Sequence, residues 1–191
     1  SQAQLAGIIE SAMDAIISVD QSQRIVRWNA AASQMFRCTA AEALGQPIER
    51  FIPTRFRSAH HEHMLMFERT GDTARAMGHQ RALAGLRYDN TEFPIEASIS
   101  RVIVNGEPIF SVILRDITER LAVERALRES EARFATAFRA SPVPMVISTL
   151  AEGRIVDAND RFLALFGTQL DSIRDQPSQS LDMWQEPRDR E

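Results

Sequence analysis

Sliding the sequence against itself by 130 positions lays SAMDAIISVDQSQRIVRWNAAASQMF over SPVPMVISTLAEGRIVDANDRFLALF without a gap. Ser11, Ile17, Ser18, Arg24, Ile25, Val26, Asn29 and Phe36 meet identical residues at Ser141, Ile147, Ser148, Arg154, Ile155, Val156, Asn159 and Phe166, and Gln46-Pro47 falls on Gln176-Pro177. A match at one long, fixed offset points to two copies of one unit, each with a core of its own. The second copy passes through two strands and one helix before Glu191, and the three strands that complete it are expected beyond that residue.

Within the first copy, DAIISVD and RIVRW are short β-rich runs separated by QSQ, a hairpin pattern. Asn29 is placed to cap a helix over residues 30–37, and Thr39 to cap a shorter one that stops at Gly45. Pro47 and Pro53 divide the next stretch into turns. From Arg55 to Thr70 the period is helical: Phe56, His60, Met64 and Phe67 share one stripe, which turns His60 inward and His61 away. Three strands follow, HQRALAGLRY, FPIEASISRVIV and EPIFSVILRDI, with Pro94 near a strand start and Asn105-Gly106 marking a hairpin. In the last strand Phe110, Val112 and Leu114 face the core while Ile109 and Ile113 face outward. The order predicts an α+β fold, a five-stranded antiparallel sheet with helices on one face. Residues 1–12 read as an N-terminal helix, 13–117 as the first domain, 118–138 as a linker helix and 139–191 as the N-terminal half of a second domain.

The linker stretch DITERLAVERALRESEARFATAF lacks Gly and Pro, pairs Glu with Arg at helical spacing, and carries Ile117, Leu121, Val123, Leu127, Phe134 and Phe138. A short coiled coil and a solvated connecting helix both fit this pattern. Together with the outward Ile109 and Ile113, it predicts a parallel homodimer through residues 3–12, the sheet and the linker.

A net charge of −4 without a basic stripe offers no footprint for nucleic acid or an anionic membrane. The longest apolar run, IFSVIL, is too short to span a bilayer, and no signal-peptide pattern opens the sequence. The single cysteine, Cys38, leaves no internal disulfide to form and suits a cytoplasmic setting. No nucleophile–base pair, P-loop or HExxH is present, so these residues are not expected to form an enzyme.

In RIVRWNAAASQMF, GLRYDNTEFPIEASIS and IFSVILRDITER the chain resembles PAS domains, a sensory fold. The last stretch ends in the Asp-Ile-Thr pattern that leads from many of them into a signalling helix. The resemblance covers residues 5–120 and, as an incomplete second copy, 135–191. It implies a sensor regulating a C-terminal output domain, a histidine kinase or a cyclic-di-GMP enzyme. PAS domains bind haem, flavin, small acids or nothing, and the fold does not choose among them.

The histidine-rich segment RFRSAHHEHMLMF is similar to the helix bearing the proximal ligand in haem PAS domains of oxygen-sensing kinases and direct-oxygen-sensor phosphodiesterases. That similarity implies a b-type haem with His60, three residues after Arg57, as the proximal iron ligand. It assigns Arg81 to a hydrogen bond with O2 or another diatomic gas, His79 or Met77 to a displaceable distal position, and Arg75 to a propionate. Met64, Phe67, Ala97, Ile99 and Leu114 would line the pocket. One extra residue separates His60 from Gly78 relative to those sensors, and Met66 stands where one subgroup has an arginine. Other readings stay open: a core histidine bonded to backbone, a pocket that is empty or holds a small organic ligand, and a module that only dimerises. Zinc held by His60, His63 and Glu62 lacks a further ligand at suitable spacing. Photochemical flavin domains need a cysteine within the segment IERFIP, which has none; Cys38 and Trp28 read as packing residues.

Overall fold

The computed structural model describes residues 2–70, 74–77 and 83–178. They divide into two compact units, Ser1–Ala122 and Val123–Glu191.

The first unit opens with α1 (Gln2–Glu10), followed by the antiparallel pair β1 (Ala15–Val19) and β2 (Ile25–Trp28). Asn29 caps α2 (Ala30–Phe36) by accepting from the Ala32 amide, as its position before an Ala-rich run predicts. Thr39 and Glu42 cap each other's backbone at α3 (Ala40–Ala43), a full capping box. Pro47 and Pro53 each precede a 3-10 turn, Ile48–Phe51 and Thr54–Phe56, and the second runs into α4 (Arg57–Thr70).

The remaining strands are β3 (Ala74–Met77), β4 (Leu83–Leu86), β5 (Glu92–Val104) and β6 (Glu107–Asp116). The sheet runs β2-β1-β6-β5, with all pairs antiparallel, and β3 and β4 share the far edge of β5. Five positions across the sheet are thus filled by six segments. The strand expected over HQRALAGLRY is present as β4 in its described part, residues 79–82 lying outside the described residues, and β3 is a further segment ahead of it. Both fit on one partner because β5 has 13 residues: β4 pairs with Glu92–Ile95 and β3 with Ala97–Ser100. Asn105 and Gly106 both take positive φ, 52° and 84°, which closes the β5–β6 hairpin with the twist the strands require.

Alternation sends Ala15, Ile17, Val19, Ala97, Ile99, Phe110 and Leu114 into one core, while Ile113 stays exposed on the opposite face. At one end of the core Trp28, Phe36, Phe51 and Phe93 form a chain of tilted and edge-on ring contacts, with centroids 4.8–5.4 Å apart.

From the end of β6 a single unbroken helix, α5 (Thr118–Ala140), leads into the second unit. There β7 (Val146–Ser148) and β8 (Ile155–Ala158) pair antiparallel, followed by α6 (Asp160–Phe166) and α7 (Leu170–Ile173). The repeat is visible in backbone bonds. Ile25 N donates to Gln46 O and Gly45 N to Ile25 O; Ile155 N donates to Gln176 O and Asp175 N to Ile155 O. Arg24 reaches Gly45 O (2.8 Å) and Arg154 reaches Asp175 O (2.7 Å), so the identical Arg and Gln-Pro positions mark one shared junction.

Gly85 brings β4 close to the aromatic cluster. A Cβ there would stand 2.8 Å from Cε1 and Cζ of Phe93 and 3.3 Å from Phe36. Both rings are buried and locked against one another, so Gly85→Ala is expected to destabilise the unit by about 1–3 kcal/mol. The measurement is a lower urea midpoint at unchanged m-value; an unchanged midpoint would mean that Phe93 yields freely.

Candidate functional site

Helix α4 lies over the inner face of the sheet because Met64 and Phe67, three apart, are its buried residues. Phe67 meets Phe110 of β6 with centroids 6.3 Å apart. Met64, Phe67, Ala97, Ile99 and Leu114, all expected as lining residues, gather in one buried cluster with Phe110, which the site prediction omitted.

His60 sits one turn before Met64, half-buried, and its Nδ1 is fully enclosed with no hydrogen-bond partner. Burial pushes its pKa down; the Glu49 carboxylate pulls the other way, and His63 and His61 lower it further. His60 is therefore held towards its neutral form. Arg57, on the same helix, instead donates through Nε to Ile52 O at 3.1 Å and anchors the start of α4.

His61 is exposed, as its place on the helix predicts, and stands beside a half-open surface pocket of about 380 Å³. The β1–β2 turn (Gln21, Ser22, Gln23) and the Pro47–Glu49 turn form one wall, and His61, Met64 and Leu65 of α4 with Phe110 form the rest. His61 precedes Met64 and Leu65 by three and four residues, so it shares a helix stripe with both.

β3 pairs Arg75 with Ile99 and Met77 with Ala97, two buried residues of β5. Their side chains, and His79 and Arg81 entirely, lie outside the described residues. Among the described residues no three His, Cys, Asp or Glu side chains converge on a metal-binding point, and His60, Glu62 and His63 do not form such a group. Cys38 is buried in the core; burial, then the nearby Glu42 carboxylate, push its thiol pKa up against a smaller opposing effect of Arg50. It is a packed thiol, not a nucleophile. No described helix is long and apolar enough to cross a membrane.

The lowered pKa of His60 has a sign that can be tested in the ligand-free protein. A folded state that releases the His60 proton more readily than the unfolded chain, whose pKa is about 6.5, binds fewer protons. Its contribution is complete above that value and is lost as pH falls through it towards the folded pKa. His60→Gln is expected to flatten the fall in urea midpoint between about pH 7.5 and 5.5. Equal slopes in the two proteins would place the His60 ring in water.

A PAS-domain family profile matches residues 13–119, and a second matches residues 132–191. The chain is 31% identical over 147 residues to the sensor protein FixL of Bradyrhizobium diazoefficiens, covering 77% of this chain and 29% of that protein. It is 25% identical over 159 residues to the oxygen sensor protein DosP of Escherichia coli, covering 83% of this chain and 19% of that protein. The chain therefore spans less than a third of either relative. Its fold is similar to the PAS domain of a protein from Colwellia psychrerythraea, with a TM-score of 0.53, 20% identity, and coverage of 62% and 98% of the two chains. It is also similar to an RNA-binding light-oxygen-voltage receptor, with a TM-score of 0.54, 20% identity, and coverage of 69% and 37%. With family profiles on both halves and the antiparallel sheet, overlying helices and exit helix in place, the chain belongs to the PAS-domain family and carries two such domains.

Proposed function

We propose that the first PAS domain binds a b-type haem through His60 and senses a diatomic gas, O2 foremost. The observation that supports this most is the enclosed, unpartnered Nδ1 of His60 on the helix that covers the sheet. A buried nitrogen without a partner costs about 1–3 kcal/mol, a cost that a group meeting Nδ1 itself would relieve. Burial also favours the neutral imidazole, the form that ligates iron. Ala97, Ile99, Leu114 and Phe67 supply apolar walls, and the unbranched Met64 is the side chain best able to give way to a flat ring system. Similarity to proteins named sensor and oxygen sensor points the same way.

When bound, haem supplies an iron whose coordination responds to gas. His60 holds it, and the apolar walls keep water out. Arg81 would donate to a diatomic ligand that gathers negative charge, favouring O2 over CO. His79 or Met77 would occupy the distal position in the resting state, and Arg75 would pair with a propionate. The domain then regulates an output domain, a histidine kinase or a cyclic-di-GMP enzyme, as a cytoplasmic homodimer joined through α1, the outer sheet face and α5. Val102, Val104 and Ile113 on that face, and Val123, Leu127 and Phe134 on α5, are exposed and suit such a contact. A second reading rests on the pocket beside His61: its volume and its Gln21, Gln23 and Glu49 lining suit a small polar organic ligand.

Visible spectra of the chain expressed with haem available separate these readings. The haem reading expects a Soret band, its loss in His60→Ala, and retention in His61→Ala. In Arg81→Ala haem is expected to stay while the preference for O2 over CO falls at least about tenfold. Haem kept in His60→Ala but lost in His61→Ala would move the ligand to His61. A colourless wild type after reconstitution leaves the small-ligand pocket. Light scattering is expected to give a dimer, and a monomer at all concentrations would remove the association.

A further inference from the structure

The repeat places one side chain, twice, where a helix enters a domain. In the first unit Asn29 is 1% exposed and uses its whole hydrogen-bonding capacity. Its Oδ1 accepts from Ile16 N and Ala32 N, both at 2.9 Å, and its Nδ2 donates to Ile9 O at 3.0 Å and Asp14 O at 3.1 Å. In the second unit Asn159 is fully buried; its Oδ1 accepts from Met145 N and Phe162 N at 2.9 Å, and its Nδ2 donates to Phe138 O at 3.1 Å and Val143 O at 2.8 Å.

Ile9 and Phe138 both lie in the last turn of the entering helix, α1 and α5 respectively. One amide group therefore joins three things in each unit: the helix that enters, the start of the first strand, and the cap of the helix that follows β2 or β8. The cap alone needs only an acceptor, which Ser, Thr or Asp provides as well. Only an amide also donates twice, to the carbonyls of the incoming helix and the connection after it. The second unit strengthens this attachment with Phe138, which is buried, and with Arg139, which pairs with Asp157 at 3.2 Å.

We propose that Asn29 and Asn159 are positioning residues that fasten each PAS domain to the helix entering it, and that Asn159 makes the second domain the direct receiver of changes carried along α5. The other end of α5 is fastened to the first unit. Asp116 Oδ1 accepts from Thr118 N (2.8 Å) and Thr118 Oγ1 (2.5 Å), Ile117 N donates to Pro94 O, and Arg120 bonds Glu96. A shift at the end of β6 thus enters a helix with no internal break and reaches the second unit at the buried amide of Asn159, beside Phe138 and the Arg139–Asp157 pair. This assignment does not depend on what the first domain binds. The tandem works in series, with the second domain reading the first.

Hydrogen–deuterium exchange of the full chain tests this. Asn159→Ser retains the cap of α6 and loses both donated bonds. It is expected to speed exchange about tenfold or more in the last turn of α5 and through residues 141–145, with the first unit unchanged. Asn29→Ser is expected to do the same at the end of α1 and to leave α5 as it was. Asp116→Asn, at the opposite end of α5, is expected to alter exchange in the first turn of α6 only while Asn159 is present. The isosteric Asn159→Asp, which keeps both acceptor contacts, is expected to reproduce the local loss. Uniformly faster exchange across the second unit, no change at the end of α5, or an Asp116→Asn effect on α6 that is absent or survives in Asn159→Ser overturns the proposal. Unfolding of the second unit in both Asn159 variants overturns it too, since the side chain would then be simple core.

Discussion

The guanidinium of Arg87 ties the layers of the first domain together. One nitrogen donates to Met35 O near the end of α2, another binds Asp116 at 2.8 Å, and the planar group lies 3.9 Å from the centroid of the Phe93 ring. The side chain is only 14% exposed, so the pair is shielded from solvent and the ring stacking is dry on one side. Lysine cannot replace it, because a point charge does not bridge a carbonyl and a carboxylate while lying flat on an aromatic ring. Burial pushes the Asp116 carboxyl up, yet the Thr118 hydroxyl and amide together with Arg87 outweigh this and hold it below its usual range. The same carboxylate thus receives β4 on one oxygen and starts α5 with the other. The short β4, paired among the described residues with β5 alone, is held in place by the group that also positions the exit helix.

The two domains reach the same backbone with different side chains. In the first, Trp28 on β2 is buried above a buried Ala32 on α2; in the second, the equivalent pair is Ala158 on β8 and Phe162 on α6. The large residue has moved from strand to helix and the small one from helix to strand, so the space between them is filled either way. The residue that ends the following helix shows the same tolerance. Arg37 and Gly167 both take left-handed φ, 55° and 61°, and Cys38 N and Thr168 N close back on Ser33 O and Leu163 O. Glycine takes that conformation without strain. Arg37 takes it while its side chain reaches Asp89, a contact with no counterpart among the described residues of the second unit. Asn29 and Asn159 are among the positions that stay the same, and there the hydrogen-bond pattern uses every donor and acceptor of the amide.

This explains which parts of the architecture were readable from the amino acids. Caps, the Asn-Gly hairpin and the repeat itself depend on residues close in sequence or on backbone junctions, and each was legible at Asn29, Thr39, Asn105 and Gln46-Pro47. The extra edge segment β3 was not, because Ala74–Met77 is a strand only through its pairing with β5, a partner later in the chain. The side of α4 that meets the pocket was half legible. Its own periodicity gave Met64 and Phe67, but His61 becomes a lining residue only because the distant β1–β2 turn stands beside it. Arg87 carried no local signal at all: its partners Met35 and Asp116 lie 52 and 29 residues away.

The strength of these fastenings limits what the chain can transmit. Each buried hydrogen bond of Asn159 adds on the order of 1 kcal/mol, so the two it donates to the α5 side are comparable with ordinary coupling free energies of about 1–3 kcal/mol between sites. A weaker attachment would let α5 move without consequence for β7 and α6. A much stronger one would exceed any difference in ligand affinity between two states of the first domain, and no ligand can shift an equilibrium further than that difference. One hydrogen bond from Asn159 to Phe138 O, a second to Val143 O just beyond the helix, the buried Phe138 and the Arg139–Asp157 pair together keep the attachment at the end of α5 within that range.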